Sequence, residues 1–198
     1  MNASFDLDHA KLAADPRFAA IALELSALSQ INSCESFNRY CREACGLWNC
    51  AFPGGIGETE QFAKLLNRIE RRNDGVIRTG WGGVVITLHE HPRVEKYLVV
   101  RKGGYLALEM HEQKDERLEI REGTGLILWH PPNERSLTVE VLLAGAEFHF
   151  QPGMEHCIIG AEDLLVLERS VDPKGMDQDL IFIYESDAIA TPLPSHAC

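Results

Sequence analysis

The stretch Gly103–Gly125, GGYLALEMHEQKDERLEIREGTG, puts a histidine and several carboxylates on what otherwise reads as a β-strand. Tyr105, Ala107, Glu109, His111 and Gln113 share one parity, and Leu106, Leu108 and Met110 share the other. In a strand the two sets face opposite sides. The spacing therefore predicts one apolar face and one face on which Glu109, His111 and Gln113 point together. That second face is either a solvated surface or the inner wall of a barrel.

The rest of the chain bears on this choice. From about residue 76 short strand-like runs follow one another: GVVITL, VEKYLVVR, YLALEMH, RLEIRE, GLILW, LTVEVLL, EFHFQ, HCIIG, LLVLERS and LIFIY, mostly separated by Gly, Pro, Asp or Asn. Many short strands with regular turns argue for an all-β sandwich or barrel. Residues 5 to about 72 read as helical instead. DPRFAAIALELSALSQI carries apolar residues at helical spacing, with Asp15 as a candidate cap and Pro16 in the first turn. ESFNRYCREACGLW is a second helix, and GETEQFAKLLNRIERR a third with a Phe62, Leu65, Leu66 and Ile69 stripe. The expected organisation is a helical N-terminal extension over 1–75 and a β-barrel domain over 76–198.

Two spaced motifs sit in the β part. The first reads Gly103, five residues, Glu109, one residue, His111, four residues, Glu116, six residues, Gly123. The second reads Gly145, five residues, Gln151-Pro152-Gly153, two residues, His156, three residues, Gly160. Together they resemble the two signature motifs of the cupin superfamily, with Glu109 where the first His is usual, Pro152 displaced by one place, and Gly160 where an Asn is usual. The resemblance implies a mainly-β fold, a cupin double-stranded β-helix (jelly-roll) barrel, here with the N-terminal α-helical extension. It also implies one divalent metal inside the barrel, held by Glu109, His111, Glu116 and His156. Such a mixed oxygen and nitrogen set suits Mn²⁺, Fe²⁺, Co²⁺, Ni²⁺ or Zn²⁺.

Within the superfamily, Trp81, Gly82, Leu106, Leu108, His111, Glu116, Gly123 and Thr124 are similar to the pattern of the type II phosphomannose isomerase cupin region. The likeness covers roughly residues 79–185. Where that family carries Gln, a third His, Arg and a further Arg, this chain has Glu109, Gln113, Lys114 and Phe182. The resemblance implies a small-molecule enzyme of the sugar or sugar-phosphate isomerase kind, with Glu109 and Lys114 as catalytic candidates. Gln113, and His149 in EFHFQ, are further candidates for the cavity wall. A metal-dependent dioxygenase and a non-catalytic small-molecule-binding module are the alternatives. HEHP at 89–92 reads as a loop.

The net charge of −11 argues against nucleic acid or anionic lipid as the main partner and leaves a small-molecule substrate. No apolar run reaches the ~18 residues of a membrane span. MNASFDLDHAKLAADPRF has early acidic residues and no apolar core of a signal peptide, which points to the cytoplasm. Of six cysteines, Cys34, Cys41, Cys45 and Cys50 crowd together at a spacing that fits no standard zinc finger. Buried or free thiols are the expected state. Cupin barrels commonly pair through an edge strand, so the expected assembly is a homodimer.

Overall fold

The change of texture near residue 75 separates a mostly helical region from strands in the computed structural model, which describes residues 3–188. Before it come β1 (Phe5–Asp8), α1 (Ala10–Ala14), α2 (Ala19–Leu25), β2 (Gln30–Ile31), α3 (Cys34–Ala51) and α4 (Glu60–Glu70). After it come β3 (Val76–Thr79), β4 (Gly82–Glu90), β5 (Arg93–Val100), β6 (Leu108–His111), β7 (Asp115–Glu122) and β8 (Thr124–Trp129). β9 (Ser136–Leu143), β10 (Glu147–Phe150), β11 (His156–Ile159), β12 (Leu164–Val171) and β13 (Leu180–Tyr184) complete the order.

These strands build two sheets, ordered β13-β6-β11-β8-β9-β1-β2 and β10-β7-β12-β5-β4-β3. Their central parts, β6-β11-β8-β9 and β10-β7-β12-β5, are antiparallel throughout, and each interleaves early strands with late ones. That interleaving defines a jelly roll, here the mainly-β double-stranded β-helix barrel that the motifs imply. The space between the sheets is apolar toward one end, filled by Leu98, Val100, Ile120, Ile127, Leu142, Leu164 and Val166. Polar side chains collect toward the other end.

Helices cover the outer faces, which explains strands apolar on both sides. α1–α3 lie over the first sheet, where Phe37, Tyr40, Cys41 and Trp48 of α3 pack with Leu108, Leu126, Leu128, Val139 and Ile159. A Ser33–Ser36 capping box starts α3. α4 lays Phe62 and Ile69 on Val85, Val99 and Leu165 of the second sheet, with Leu65 and Leu66 alongside. Its first turn is fixed to the barrel by Glu122, whose carboxylate accepts the Gln61 and Phe62 amides at 2.8 and 2.7 Å. This satisfies two of the helix's orphan donors and favours its positive end.

Several local expectations need correction. The N-terminal region is not helical throughout, because β1 pairs in parallel with β9 and extends the first sheet. Asp15 does not cap a helix; its carboxylate accepts the Arg17 amide, and α2 begins at Ala19. The strict alternation from Tyr105 fails as well, because β6 starts only at Leu108. Tyr105 and Leu108 both face the helical layer, while Leu106, Ala107 and Glu109 face the cavity.

Gly123 shows why the first motif ends in glycine. Its φ is 78°, and a Cβ there would lie 1.8 Å from the Asp163 carbonyl oxygen. Gly145 has φ 87° with nothing near a would-be Cβ. Gly145→Ala is expected to lose about 1–2 kcal/mol of stability from backbone conformation. Gly123→Ala is expected to lose at least about 2 kcal/mol more, from crowding. Urea unfolding of both variants checks this, and equal losses would contradict it.

Candidate functional site

The polar end of the barrel holds a cavity of about 620 Å³, walled by strands of both sheets. Glu109 comes from β6 and His156 from β11, where the two stand directly opposite each other. Glu116 comes from β7, Lys96 from β5 and Glu168 from β12. The turn after β6 brings Lys114 inward, and the loop between β12 and β13 contributes Asp177. Apolar side chains, among them Leu98, Leu106, Leu118 and Ile158, surround this polar group, and exposed Ile77 and Phe182 also line the cavity.

An ammonium sits among the carboxylates. Lys114 Nζ lies 2.5 Å from Glu116 Oε2, 2.7 Å from Glu168 Oε1 and 2.9 Å from Asp177 Oδ1, and its side chain is 2% exposed. Burial alone would drive this lysine toward neutrality, but Glu116, Glu168 and Asp177 together raise its pKa well above the ordinary value. Lys96 supports it from the side, 3.3 Å from Glu168 Oε2 and paired with Asp177. For Asp177 the two ammoniums outweigh burial and lower the carboxyl to about 2.

The two histidines take different roles. His111 Nδ1 lies 2.8 Å from Asp179 Oδ1, and Nε2 lies 3.3 Å from the Lys114 ammonium. An ammonium only donates, so Nε2 is the acceptor and Nδ1 carries the proton. The other Asp179 oxygen accepts the Gln113 and Lys114 amides at 2.7 and 2.9 Å, clamping the turn that aims Lys114 inward. His156 faces acceptors on both sides: Glu116 Oε1 at 2.7 Å from Nε2 and the Met154 carbonyl at 3.2 Å from Nδ1. Both nitrogens therefore donate, as an imidazolium. Burial opposes that charge, and Glu116 outweighs burial to raise the pKa. Phe150 stacks on the ring at 4.3 Å between centroids and holds its plane.

Glu109 stands apart from this network of ion pairs. Burial dominates its titration and, with Glu116 and Asp177 close by, raises it to about 7 despite His156 and Lys114. Charge counting gives the same answer. In the cavity lining Glu116, Glu168 and Asp177 already balance Lys96, Lys114 and the His156 imidazolium, and buried Asp179 behind His111 adds a further carboxylate, so ionised Glu109 would deepen a surplus of negative charge.

All four residues expected as metal ligands belong to this one neighbourhood, but their arrangement does not fit a divalent ion. Among the described residues no three His, Cys, Asp or Glu side chains are placed to hold one. Ligation needs a free imidazole lone pair and donor atoms within ~2.0–2.2 Å of the ion. Here His156 Nε2 donates to Glu116, and His111 Nε2 is taken by Lys114. Two unit charges 4 Å apart in partly screened protein repel by about 4 kcal/mol, and a dication doubles this.

Two cavity expectations are corrected. Gln113 is exposed and contributes only its backbone amide, because the turn places Lys114 inside instead. His149 is exposed on β10 and pairs with Asp115 at 2.9 Å, outside the cavity. Lys96 reads from sequence, with Arg101 and Lys102, as a solvated charge, yet it is buried in the cavity wall; Glu168, Asp177 and Asp179 were not singled out as site residues. Inward parity beside Leu98 and Val166 was a usable signal for Lys96 and Glu168. For the two loop aspartates the one signal was their place in KGMDQDLIFIYE, which is similar to an acidic stretch of the isomerase pattern.

The cysteine cluster lies elsewhere. Cys41 and Cys45 of α3 and Cys157 of β11 are buried free thiols in the helix-covered core. Burial raises Cys41 well above the ordinary range and Cys45 to about 12, so both stay protonated. Cys198 lies outside the described residues. HEHP is split between the end of β4 and an exposed turn, away from the cavity. Among the described residues no helix is long and apolar enough to cross a membrane.

No family model and no curated protein matches this chain. Solved structures do share features of its fold. The capsular polysaccharide assembling protein CapF from Staphylococcus aureus is 16% identical, with a TM-score of 0.48 over 55% of this chain and 34% of CapF. The match thus spans about a third of CapF. An uncharacterised Klebsiella pneumoniae protein with a double-stranded β-helix domain is 17% identical, with a TM-score of 0.41 over 56% of this chain and 85% of that one. Cellulomonas parahominis L-ribose isomerase, solved with L-ribose, is 15% identical, with a TM-score of 0.44 over 54% and 70% of the two chains. The likeness to each is one of fold.

The charge balance sets a pH dependence. Glu109 titrates near 7 folded and near 4.5 unfolded, so the native state holds the extra proton between these values. Stability from this group is full below about 4.5 and falls as pH rises to 7, by at most about 3 kcal/mol. Glu109→Gln removes the loss, so the stability of the variant relative to wild type is expected to grow from pH 5 to pH 8. Urea unfolding at both values tests this, and a pH-independent difference would contradict it.

Proposed function

We propose that this protein is a small-molecule enzyme that moves a proton on a carbon next to a carbonyl, in the manner of an aldose–ketose isomerase, on an uncharged polyhydroxy substrate. One observation carries the reading: the Glu109 carboxyl faces a cavity whose other carboxylates are all tied to cations. A general base works best with a pKa near the operating pH, and burial supplies that here. Glu109 takes the proton from the carbon, and negative charge grows on the substrate oxygens. The fixed charges of Lys114 and His156 stabilise it. Glu109 then returns the proton to the neighbouring carbon while the hydroxyl proton passes from one substrate oxygen to the other, so the reaction balances without an external acid.

The same charges argue for an unphosphorylated substrate. Glu109, Glu116, Glu168 and Asp177 face Lys96 and Lys114 in the cavity, and both ammoniums already have carboxylate partners. Phe182 is exposed where the isomerase pattern carries an Arg, so no guanidinium stands there to grip a phosphate.

The test is exchange from D₂O into a panel of aldoses and ketoses and their phosphates, followed by proton NMR. The expected outcome is deuterium at the carbon beside the carbonyl of a neutral sugar, at a rate that rises with pH through about 7. Glu109→Gln is expected to slow it by about 10²–10⁴-fold. Unchanged exchange in that variant would overturn the assignment of the base. Binding of a sugar without any exchange would make the protein a binding module.

A further inference from the structure

We infer that the Lys114 ammonium takes the place that the two motifs assign to a divalent cation, so that the barrel carries its positive charge as a side chain and works without a metal. The argument is geometric. In the turn after β6, Asp179 binds the amides of Gln113 and Lys114 and so directs the lysine stem into the barrel. The stem ends between Glu116 and His111, two of the expected ligands. Glu168 and Asp177, which belong to neither motif, complete a three-carboxylate cradle around Nζ. Lys96 binds the far side of both carboxylates and keeps them in place. An ion entering this space would have to displace an ammonium held by three ion pairs and break the Glu116–His156 bond.

The inference also states what holds the cation out. With the ammonium removed, His111 Nε2 loses its donor and Glu116 loses one of its two cationic partners. His111, Glu116 and His156, with Glu109 alongside, then form a carboxylate and imidazole set of the kind that binds Co²⁺ or Zn²⁺.

Equilibrium dialysis of the purified protein against Co²⁺ at micromolar concentration, with plasma mass spectrometry and visible absorption as readouts, tests both statements. The quantity counted is cobalt lost on adding His111→Ala, which sets aside ions on surface thiols. Wild type is expected to take up no such cobalt, and Lys114→Ala to take up one equivalent, absent from the Lys114→Ala/His111→Ala double variant. Lys114→Met, which keeps the stem without the charge, replaces Lys114→Ala if the latter does not fold. One His111-dependent equivalent in wild type overturns the inference. So does a folded Lys114→Met that binds none, since the ammonium would then not be what excludes the ion. Neither outcome depends on isotope exchange into sugars, so this inference and the proposed activity fail separately.

Discussion

The ion-pair cluster centred on Lys114 is the constraint on which the rest of the cavity depends. A lone buried ammonium or carboxylate is expensive, and removing one partner of a buried pair commonly costs about 3–5 kcal/mol. Lys114 joins β7, β12 and the loop before β13 through Glu116, Glu168 and Asp177. Two neighbouring strands of the second sheet and a loop are thereby fixed to one atom, which also reaches His111 on β6 of the first sheet. Glu116 passes the constraint to His156, and Phe150 holds that ring from its other face. Asp179 passes it to His111.

This arrangement leaves Glu109 as the group whose charge is free to change. Its neighbours are held in their charged forms by one another: Glu116 well below the usual carboxylate range, Lys114 well above the usual amine range. Against that fixed background, burial pushes Glu109 to about 7. Two carboxylates on facing sheets of one barrel thus take opposite roles because of their partners. Glu116 is ion-paired with a lysine and a histidine, whereas Glu109 is buried near charges of both signs without an ion pair of its own. The apolar rim, with Trp81, Leu106 and Leu180, keeps the dielectric low enough for the difference to matter.

The fold was legible because it rests on pattern. Alternating apolar runs and spaced glycines locate ten strands in the β part, and Gly123 is needed where the motif has it because the Asp163 carbonyl fills the place of a side chain. β1 and β2 were not legible, since strands of four and two residues are fixed by pairing with distant partners. The site was legible in part. Glu109, His111, Lys114, Glu116 and His156 all belong to it, and the spacing of His111 and Glu116 across a turn brought them together. Which side chains of the turn point inward was not legible. Gln113 and Lys114 exchange the roles that alternation gives them because Asp179, more than sixty residues away, holds the turn. That contact has no local signature, and it decides which of the two side chains enters the cavity.

The most direct test is the titration of Glu109 itself. Infrared difference spectra of wild type minus Glu109→Gln, recorded across pH 4–9 in metal-free buffer, isolate the protonated carboxyl stretch of this one residue. A band that disappears with a midpoint near 7 would show that Glu109 is held protonated beside the fixed charges clustered on Lys114. A midpoint near the ordinary carboxylate value of about 4.3 would mean that Glu109 is fully charged at neutral pH. The cavity would then need another cation, and Lys114 would not be the centre of the site.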